Sequence, residues 1–255
     1  MRPPLSNPSD VALIIHRLGR VASTQDEARR LLDAGEAAAG HVIVADAQEA
    51  GRGRFGRIWL SPVGGLYATF LVKQDPRLPL AAGVAVVEAL ARFGVSARLK
   101  WPNDALIAGL KVAGLLIETV EGLALLGIGI NLEAAPLDTA TSLRAAGGSV
   151  RRGELLIALG DTLAAAIDAD DLVAAYRKYL DTLGRPVRVF MGDGTVIEGT
   201  AVDIDDDGQL VLETDSGLRV IPSGECHHLR PSLGQRASRG YAGGEIERGT
   251  RGTDR

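Results

Sequence analysis

The sequence contains one cysteine, Cys226, and no apolar run that approaches the roughly eighteen residues of a membrane span. A single cysteine can form neither an intramolecular disulfide nor a thiolate metal cage, which is typical of proteins from a reducing compartment. The N-terminal segment MRPPLSNPSD lacks the apolar stretch of a secretion signal. These absences predict a cytoplasmic protein that is not held in a membrane.

An excess of positive charge is also lacking. The 28 lysine and arginine residues stand against 32 aspartate and glutamate residues, a formal net charge of -4. Proteins that bind nucleic acid through bulk charge are strongly basic, so any anion site in this chain must be local. Hydrophobic residues make up 46% of the 255 residues, which is enough to form a sizeable core.

The first part of the chain mixes strand and helix patterns. Residues 79–93 are apolar at nearly every helical position, which predicts a largely buried helix. Residues 111–120 and 123–132 are strand-like and are joined by the short turn Glu121-Gly122, which favours an antiparallel pair. Strands joined by hairpins and interleaved with helices predict a mixed β-sheet with helices packed on it.

A different texture begins near residue 186. Short strand-like runs recur at spacings of roughly 8 to 12 residues, as in a small antiparallel barrel. We therefore predict an α+β protein with a large domain over 1–185 and a small β-barrel over 186–232. Residues 233–255 are rich in glycine and arginine without apolar periodicity, and we predict a disordered tail there.

A dinucleotide-binding motif is the first candidate site. Residues 51–56 satisfy G-x-G-x-x-G after a predicted strand. The helix that must follow is excluded by Pro62, Gly64 and Gly65, so no helix N-terminus is available for a pyrophosphate. A nicotinamide oxidoreductase is therefore the least favoured of our functional hypotheses.

Two further patterns suggest metal sites. Residues 203–208 match the first half of a calcium loop, but Thr214 stands where a bidentate glutamate is needed. The adjacent residues 226–228, Cys-His-His, cannot converge on one ion, and no second ligand cluster accompanies them. A solvated turn and a strand end explain the two patterns better, and the identity of any metal ligand stays unknown.

The segment Gln48 to Trp59, QEAGRGRFGRIW, concentrates cationic charge in an acidic protein. Arg52, Arg54 and Arg57 lie among glycines that let the backbone approach a ligand closely. Composition alone gives a solvated surface loop about even odds, but Trp59 favours a nucleotide site because an aromatic ring can stack on a base.

A second polar cluster follows a predicted strand. Lys100, Asn103 and Asp104 surround the proline that ends this strand, and Lys111 opens the next one. Each residue alone is most often a turn former or a solvated side chain. Together with the arginine loop they indicate a site for phosphate, a carboxylate and a metal ion.

These motifs resemble those of one family. GRGRFGRIW at 51–59, KWPND at 100–104, KVAG at 111–114 and GIGIN at 127–131 stand in the order and near the spacing of the biotin protein ligases. The resemblance covers about Ser23 to Arg230. It implies a catalytic domain related to the class II aminoacyl-tRNA synthetases and an SH3-like C-terminal barrel.

The resemblance also implies site residues. Gln25 stands where relatives usually have asparagine, and Phe55 where many have a polar or basic residue. The implied biotin-binding residues are Ser23, Thr24, Gln25, Gln48, Gly51, Arg52, Gly53, Arg54 and Lys111. The implied ATP and adenylate residues are Arg52, Arg57, Trp59, Lys100, Asn103 and Asn131, and the implied catalytic residues are Lys111, Arg54 and Asp104.

The implied reaction needs no protein nucleophile, because the biotin carboxylate is already ionised near neutral pH and attacks the α-phosphate of ATP directly. Lys111 and the loop arginines would stabilise the charge, with Mg²⁺ carried mainly by the phosphates. A lysine of a biotin carboxyl carrier protein then attacks the adenylate as a neutral amine, and Asp104 is the residue to orient or deprotonate it.

The family resemblance sets expectations for partners. Many relatives carry an N-terminal winged-helix domain, and only 22 residues precede Ser23, so we expect no sequence-specific DNA binding. The resemblance also suggests a homodimer through the sheet edge near KVAG and GIGIN. Besides the nicotinamide oxidoreductase, which stays last, three alternatives stay open: a lipoate-type ligase, a non-catalytic biotin or biotinyl-AMP sensor, and an octanoyl transferase. The last of these three is disfavoured because Cys226 is expected far from the motifs.

Overall fold

A computed structural model describes residues 13–229. The predicted tail at 233–255 lies outside the described residues. The elements in chain order are β1 (Ile14–Val21), α1 (Thr24–Asp33), β2 (His41–Gln48), a 3-10 turn (Arg54–Gly56), β3 (Leu66–Lys73), α2 (Leu78–Ala91), β4 (Arg98–Lys100), β5 (Asp104–Ile107), β6 (Leu110–Val120), β7 (Leu123–Ile130), α3 (Arg152–Asp168), α4 (Leu172–Tyr179), β8 (Pro186–Phe190), β9 (Val196–Ile204), β10 (Leu210–Thr214), β11 (Gly217–Ile221) and β12 (Glu225–His228).

The large sheet is mixed, as the sequence predicts. Its strand order is β1-β2-β3-β7-β6-β5-β4, with β1 and β2 parallel and the other pairs antiparallel. The predicted hairpin joins β6 to β7, with Val120 opposite Leu123. Its turn residues Glu121 and Gly122 have φ values of 48° and 81°, the backbone that a tight two-residue hairpin requires.

Helices cover both faces of this sheet. Successive residues of a strand point to opposite faces, and in the central strands both sets are apolar, so both faces must be covered. Val42 and Phe70 face the core that contains α2 and α3, whereas Ile43 and Leu71 pack with Ala28 of α1 on the other face. Helix α2 is buried on nearly all sides, as predicted, because α3 and α4 cover the side that is turned away from the sheet.

The C-terminal strands form a five-stranded antiparallel sheet in the order β11-β10-β9-β8-β12. Within residues 13–229 the edge strands β11 and β12 are not paired with each other, so the predicted barrel is not closed. Val187 and Leu210 of this sheet share one hydrophobic core with Leu99 and Trp101. The indole N–H of Trp101 also donates to the carbonyl of Gly208 over 3.0 Å, which fixes the small sheet against the β4–β5 turn.

The division at residue 185 stays a prediction, although β8 begins at Pro186. Among the described residues, no helix combines the length and apolar character needed to cross a membrane.

Candidate active site

One cleft of about 950 Å³, including the space at its mouth, brings the sequence motifs together. It lies where the start of α1, the glycine- and arginine-rich loop after β2 and the β4–β5 turn meet the face of β6 and β7. The first residues of β12 close one side. The cleft is therefore built by elements from both sheets.

The start of α1 forms a buried polar pocket. Ser23 caps the helix by accepting a hydrogen bond from the Gln25 amide over 3.2 Å. The amide and the hydroxyl of Thr24 donate to Gln48 Oε1 over 2.8 Å and 3.1 Å. Gln48 Nε2 donates to Ser61 Oγ over 2.8 Å. Because Thr24 and Gln25 lie in α1 and Gln48 lies in β2, this pocket is preorganised for a ligand with both donors and acceptors.

Gln25 adds an acceptor without a partner. Its side chain is 4% exposed, and Nε2 donates to the carbonyls of Leu116 and Leu125, each over 3.2 Å. Among the described residues, nothing donates to Gln25 Oε1. A buried acceptor left unpaired is costly, so this atom favours a ligand N–H in the cleft.

Glycines leave room for Trp59 over the sheet. Gly114 of β6 and Gly129 of β7 are directly opposite each other. A Cβ at Gly129 would overlap the Trp59 indole, and one at Gly114 would lie 3.1 Å from Trp59 Cζ3. The indole therefore lies against the bare backbone of Gly114 and Gly129, which we call the glycine strip. Within residues 13–229 its buried N–H has no acceptor.

The three loop arginines have different partners. Arg52 is paired with Asp26 at 2.8 Å and with Glu118 at 3.6 Å, and Arg57 is paired with Glu225. Arg54 instead donates to two neutral acceptors, Asn103 Oδ1 at 3.4 Å and the carbonyl of Gly224 at 3.3 Å.

Burial lowers the pKa of the Arg54 guanidinium. A desolvated cation without a carboxylate ligand in the described chain is the one that gains most from binding an anion. Arg54 is therefore the strongest candidate among the loop arginines for contact with a phosphate or a carboxylate.

Lys111 and Asp104 form an ion pair inside the cleft. Their Nζ and Oδ1 atoms are 2.6 Å apart, and the Lys111 ammonium lies 5.1 Å from the centroid of the Trp59 ring. Asn103 Nδ2 donates to the carbonyl of Leu115 over 2.8 Å, which holds the turn between β4 and β5 in place. A cation, a carboxylate and an aromatic ring thus converge where the sequence predicts catalysis.

Cys226 lies in the same cleft, and the expectation that it is far from the motifs is wrong. Strand β12 pairs with β8 and carries Glu225 and Cys226 into the cleft wall, together with Gly224 just before it. Cys226 is far from the motifs along the chain, but the packing of the two sheets brings it next to them. Burial raises the pKa of the Cys226 thiol to about 11, so the thiol is not an activated nucleophile at neutral pH.

Comparison with known proteins gives the family. Residues 18–134 match the family described as "Biotin/lipoate A/B protein ligase family", and residues 182–229 match "Biotin protein ligase C terminal domain". The biotin--[acetyl-CoA-carboxylase] ligase of Mycobacterium tuberculosis is 36% identical over 212 residues, which span 75% of this chain and 80% of the relative. This chain belongs to the biotin protein ligase family.

Other biotin protein ligases agree over most of the chain. The biotin--[acetyl-CoA-carboxylase] ligase of Paracoccus denitrificans is 35% identical, with 82% of this chain and 98% of the relative covered. A structure described as biotin protein ligase from Aquifex aeolicus in complex with biotin and ATP has a TM-score of 0.74 and 30% identity, with 85% of this chain and 99% of that chain covered. The α+β fold with a C-terminal antiparallel sheet is the fold of this family.

Within this biotin protein ligase fold, nearly all predicted site residues line the cleft; the exceptions are Gly51 and Asn131. Gly51 lets the two ends of the loop approach each other, because a Cβ there would lie only 2.5 Å from the Trp59 carbonyl oxygen. Asn131 is buried, and its Nδ2 donates to the carbonyl of Thr141 over 3.1 Å. Its predicted adenine contact stays a prediction.

Sequence reasoning missed several lining residues. The glycines of KVAG and GIGIN carried a signal, since alternate residues of a strand share a face and Gly127 and Gly129 therefore lie side by side. Tyr67 and Glu225 carried no such signal, because only the packing of distant elements brings them to the cleft.

Proposed function

We propose that this chain activates biotin with ATP to form biotinyl-5'-AMP and then transfers the biotinyl group to a lysine of a biotin carboxyl carrier protein. The observation that carries the proposal is the convergence of Arg54, Lys111 and Asp104 on one cleft whose inner end is the polar pocket of Thr24, Gln25 and Gln48. The names of its relatives, biotin--[acetyl-CoA-carboxylase] ligases, support the same reaction.

The polar pocket suits the ureido ring of biotin. That ring offers two N–H donors and one carbonyl acceptor, and the pocket offers the unpaired acceptor Gln25 Oε1 beside the Thr24 and Gln48 side chains. The dithiolane ring of lipoate has no N–H to donate, so lipoate would leave Gln25 Oε1 unpaired. This difference favours biotin, since a site with buried polar groups rejects a ligand that lacks the matching group.

In the first step, a carboxylate oxygen of biotin attacks the α-phosphorus of ATP, the bond to the β-phosphate oxygen breaks and pyrophosphate leaves. Lys111 and Arg54 are the cations to hold the two anions together and to balance the charge of the transition state. Trp59, Lys100, Asn103, Arg52, Arg57 and Asn131 are proposed to bind the nucleotide, with the Trp59 indole against adenine.

A magnesium ion fits this arrangement. Within residues 13–229 no cluster of three or more histidine, cysteine or acidic side chains could form a protein-only metal site. Mg²⁺ bound to ATP takes most of its ligands from phosphate oxygens and water, so the ion would be carried mainly by the phosphates. When bound, the ion would neutralise phosphate charge.

In the second step, the neutral amine of the carrier lysine attacks the acyl carbon of the adenylate, the bond to the phosphate oxygen breaks and AMP leaves. Asp104 is the acceptor for the proton that the amine loses. Its ion pair with Lys111 holds its carboxylate in the cleft before the lysine arrives.

The test is ATP–pyrophosphate exchange with purified protein, Mg²⁺ and either biotin or lipoate. We expect exchange with biotin that is lost in Lys111→Ala and no exchange with lipoate. Exchange with lipoate alone would replace this proposal by a lipoate ligase. Tight binding of biotin without exchange would replace it by a sensor.

A further inference from the structure

Four apolar side chains beside the cleft are turned to solvent. Phe55 is 56% exposed, Ile58 76%, Leu60 44% and Val63 70%. We call these four residues the apolar lip. Single exposed apolar side chains are ordinary on a protein surface, but four of them within nine residues at the edge of a site indicate contact with another molecule.

Backbone geometry fixes the outward direction of two of them. Trp59 covers the glycine strip and Ser61 is buried against Gln48, so both point inward. Side chains alternate along extended backbone. Ile58 and Leu60 therefore point away from the sheet, on the outer side of the loop.

Phe55 is held outward by an uncommon backbone conformation. Its φ of 57° lies in the left-handed region that non-glycine residues rarely adopt. The Arg54 guanidinium lies 5.0 Å from the centroid of its ring. Backbone strain of this kind clusters at functional sites, which favours a role for the exposed ring.

The lip borders the entrance that an acceptor lysine would have to use. Phe55 and Ile58 line the cleft together with Lys111 and Asp104. A lysine side chain has four carbons between its backbone and its amine, a reach of roughly 6 Å. The surface that carries this lysine must therefore touch the rim of the cleft when the amine reaches the reacting centre.

We propose that the apolar lip is the docking surface for the carrier protein and packs against apolar side chains that flank its acceptor lysine. The inference rests on the proposed function. The loop arginines all have partners within the chain: Arg52 and Arg57 are paired with Asp26 and Glu225. Arg54 donates to Asn103 and to the carbonyl of Gly224. The lip therefore offers the carrier an apolar contact, and its contribution to carrier binding should depend little on salt.

The experiment compares the two half-reactions in the full chain. Leu60 and Val63 do not line the cleft, so the variant Leu60→Ser/Val63→Ser should keep biotin-dependent ATP–pyrophosphate exchange within about twofold of the unaltered chain. With an unbiotinylated biotin carboxyl carrier domain as substrate, its KM for the carrier should rise at least tenfold, by the same factor at 50 and 300 mM salt. The kcat should stay within about twofold.

A matched control is Leu218→Ser/Val220→Ser, which removes two equally exposed apolar side chains from β11 and should leave both half-reactions unchanged. The inference is overturned if the lip variant keeps the carrier KM of the unaltered chain, if the control raises that KM as much, or if the lip variant changes only self-association in sedimentation. Absence of exchange in the unaltered chain would instead remove the proposed function, and the inference with it.

Discussion

The ammonium of Lys111 and the carboxylate of Asp104 are 2.6 Å apart, and each would serve a different half-reaction. Lys111 must contact anions during adenylation, whereas Asp104 must accept a proton during transfer. As long as they are paired, each screens the charge of the other. Binding of a carboxylate and a phosphate beside Lys111 would give its ammonium further partners and loosen the ion pair with Asp104.

The first prediction separates these two roles. Lys111→Ala should lower biotin-dependent ATP–pyrophosphate exchange about 100- to 1,000-fold, as expected when a group that stabilises transition-state charge is lost. Asp104→Asn keeps the shape of the side chain and should keep exchange within a fewfold of the unaltered chain. Its transfer rate should fall about 100-fold, the usual contribution of a general base.

The measurement for Asp104→Asn is single-turnover transfer from purified biotinyl-5'-AMP to the carrier, since this bypasses adenylation. Transfer at the unaltered rate would show that Asp104 is not the proton acceptor. Equal loss in both half-reactions would indicate that Asp104 acts through the nucleotide and its metal ion instead.

The second prediction concerns the glycine strip. Gly129→Ala would push the Trp59 indole off the sheet, because the new methyl group overlaps it. Base stacking on an aromatic side chain contributes about 1–3 kcal/mol, so we expect the KM for ATP to rise about tenfold or more. The matched control is Gly19→Ala, since an added Cβ at Gly19 meets no atom within 4 Å.

Tryptophan fluorescence gives a second readout of this variant. A displaced Trp59 should shift the emission to longer wavelength in Gly129→Ala and not in Gly19→Ala. An unchanged spectrum together with an unchanged KM for ATP would mean that Trp59 is not part of the nucleotide site.

The site was predictable where chemistry and order along the chain coincide. The arginines among glycines and the Lys100–Asp104 turn indicate an anion site. In each of these two motifs the functional residues are only a few positions apart, so the sequence alone brings them together. The sequence could not show which arginine has no carboxylate partner among residues 13–229, because Asp26 and Glu225, the partners of Arg52 and Arg57, come from distant elements. The prediction that Cys226 lies far from the motifs is wrong for the same reason, since the packing of two sheets leaves no pattern in the local sequence.

The third prediction uses Cys226 to test the octanoyl transferase alternative. The raised pKa of its thiol, about 11, leaves almost no thiolate at pH 7.5. Alkylation by iodoacetamide under native conditions should therefore be slow, and Cys226→Ala should transfer biotin within about threefold of the unaltered rate. An acyl-thioester intermediate trapped on Cys226 would contradict the direct transfer to lysine.

The last prediction is a loss of stability in mild acid that originates at His228. Its Nε2 lies 3.0 Å from Thr182 Oγ1 between the two sheets. Burial, with help from the nearby charges of Lys100 and Arg185, lowers the pKa of His228 from 6.5 to about 4. Above pH 6.5 the imidazole is neutral in both the folded and the unfolded chain, so this part of the stability is fully present.

As the pH falls from 6.5 towards 4, His228 is protonated in the unfolded chain but stays neutral in the folded chain, so the free energy of unfolding decreases. A difference of this size in pKa corresponds to about 3 kcal/mol at most. Urea unfolding at pH 7.5, 5.5 and 4.5 should therefore show a falling midpoint. The fall should be smaller in His228→Gln, whose side chain still reaches Thr182 but does not titrate, and an equal fall in both proteins would assign the acid sensitivity to other groups.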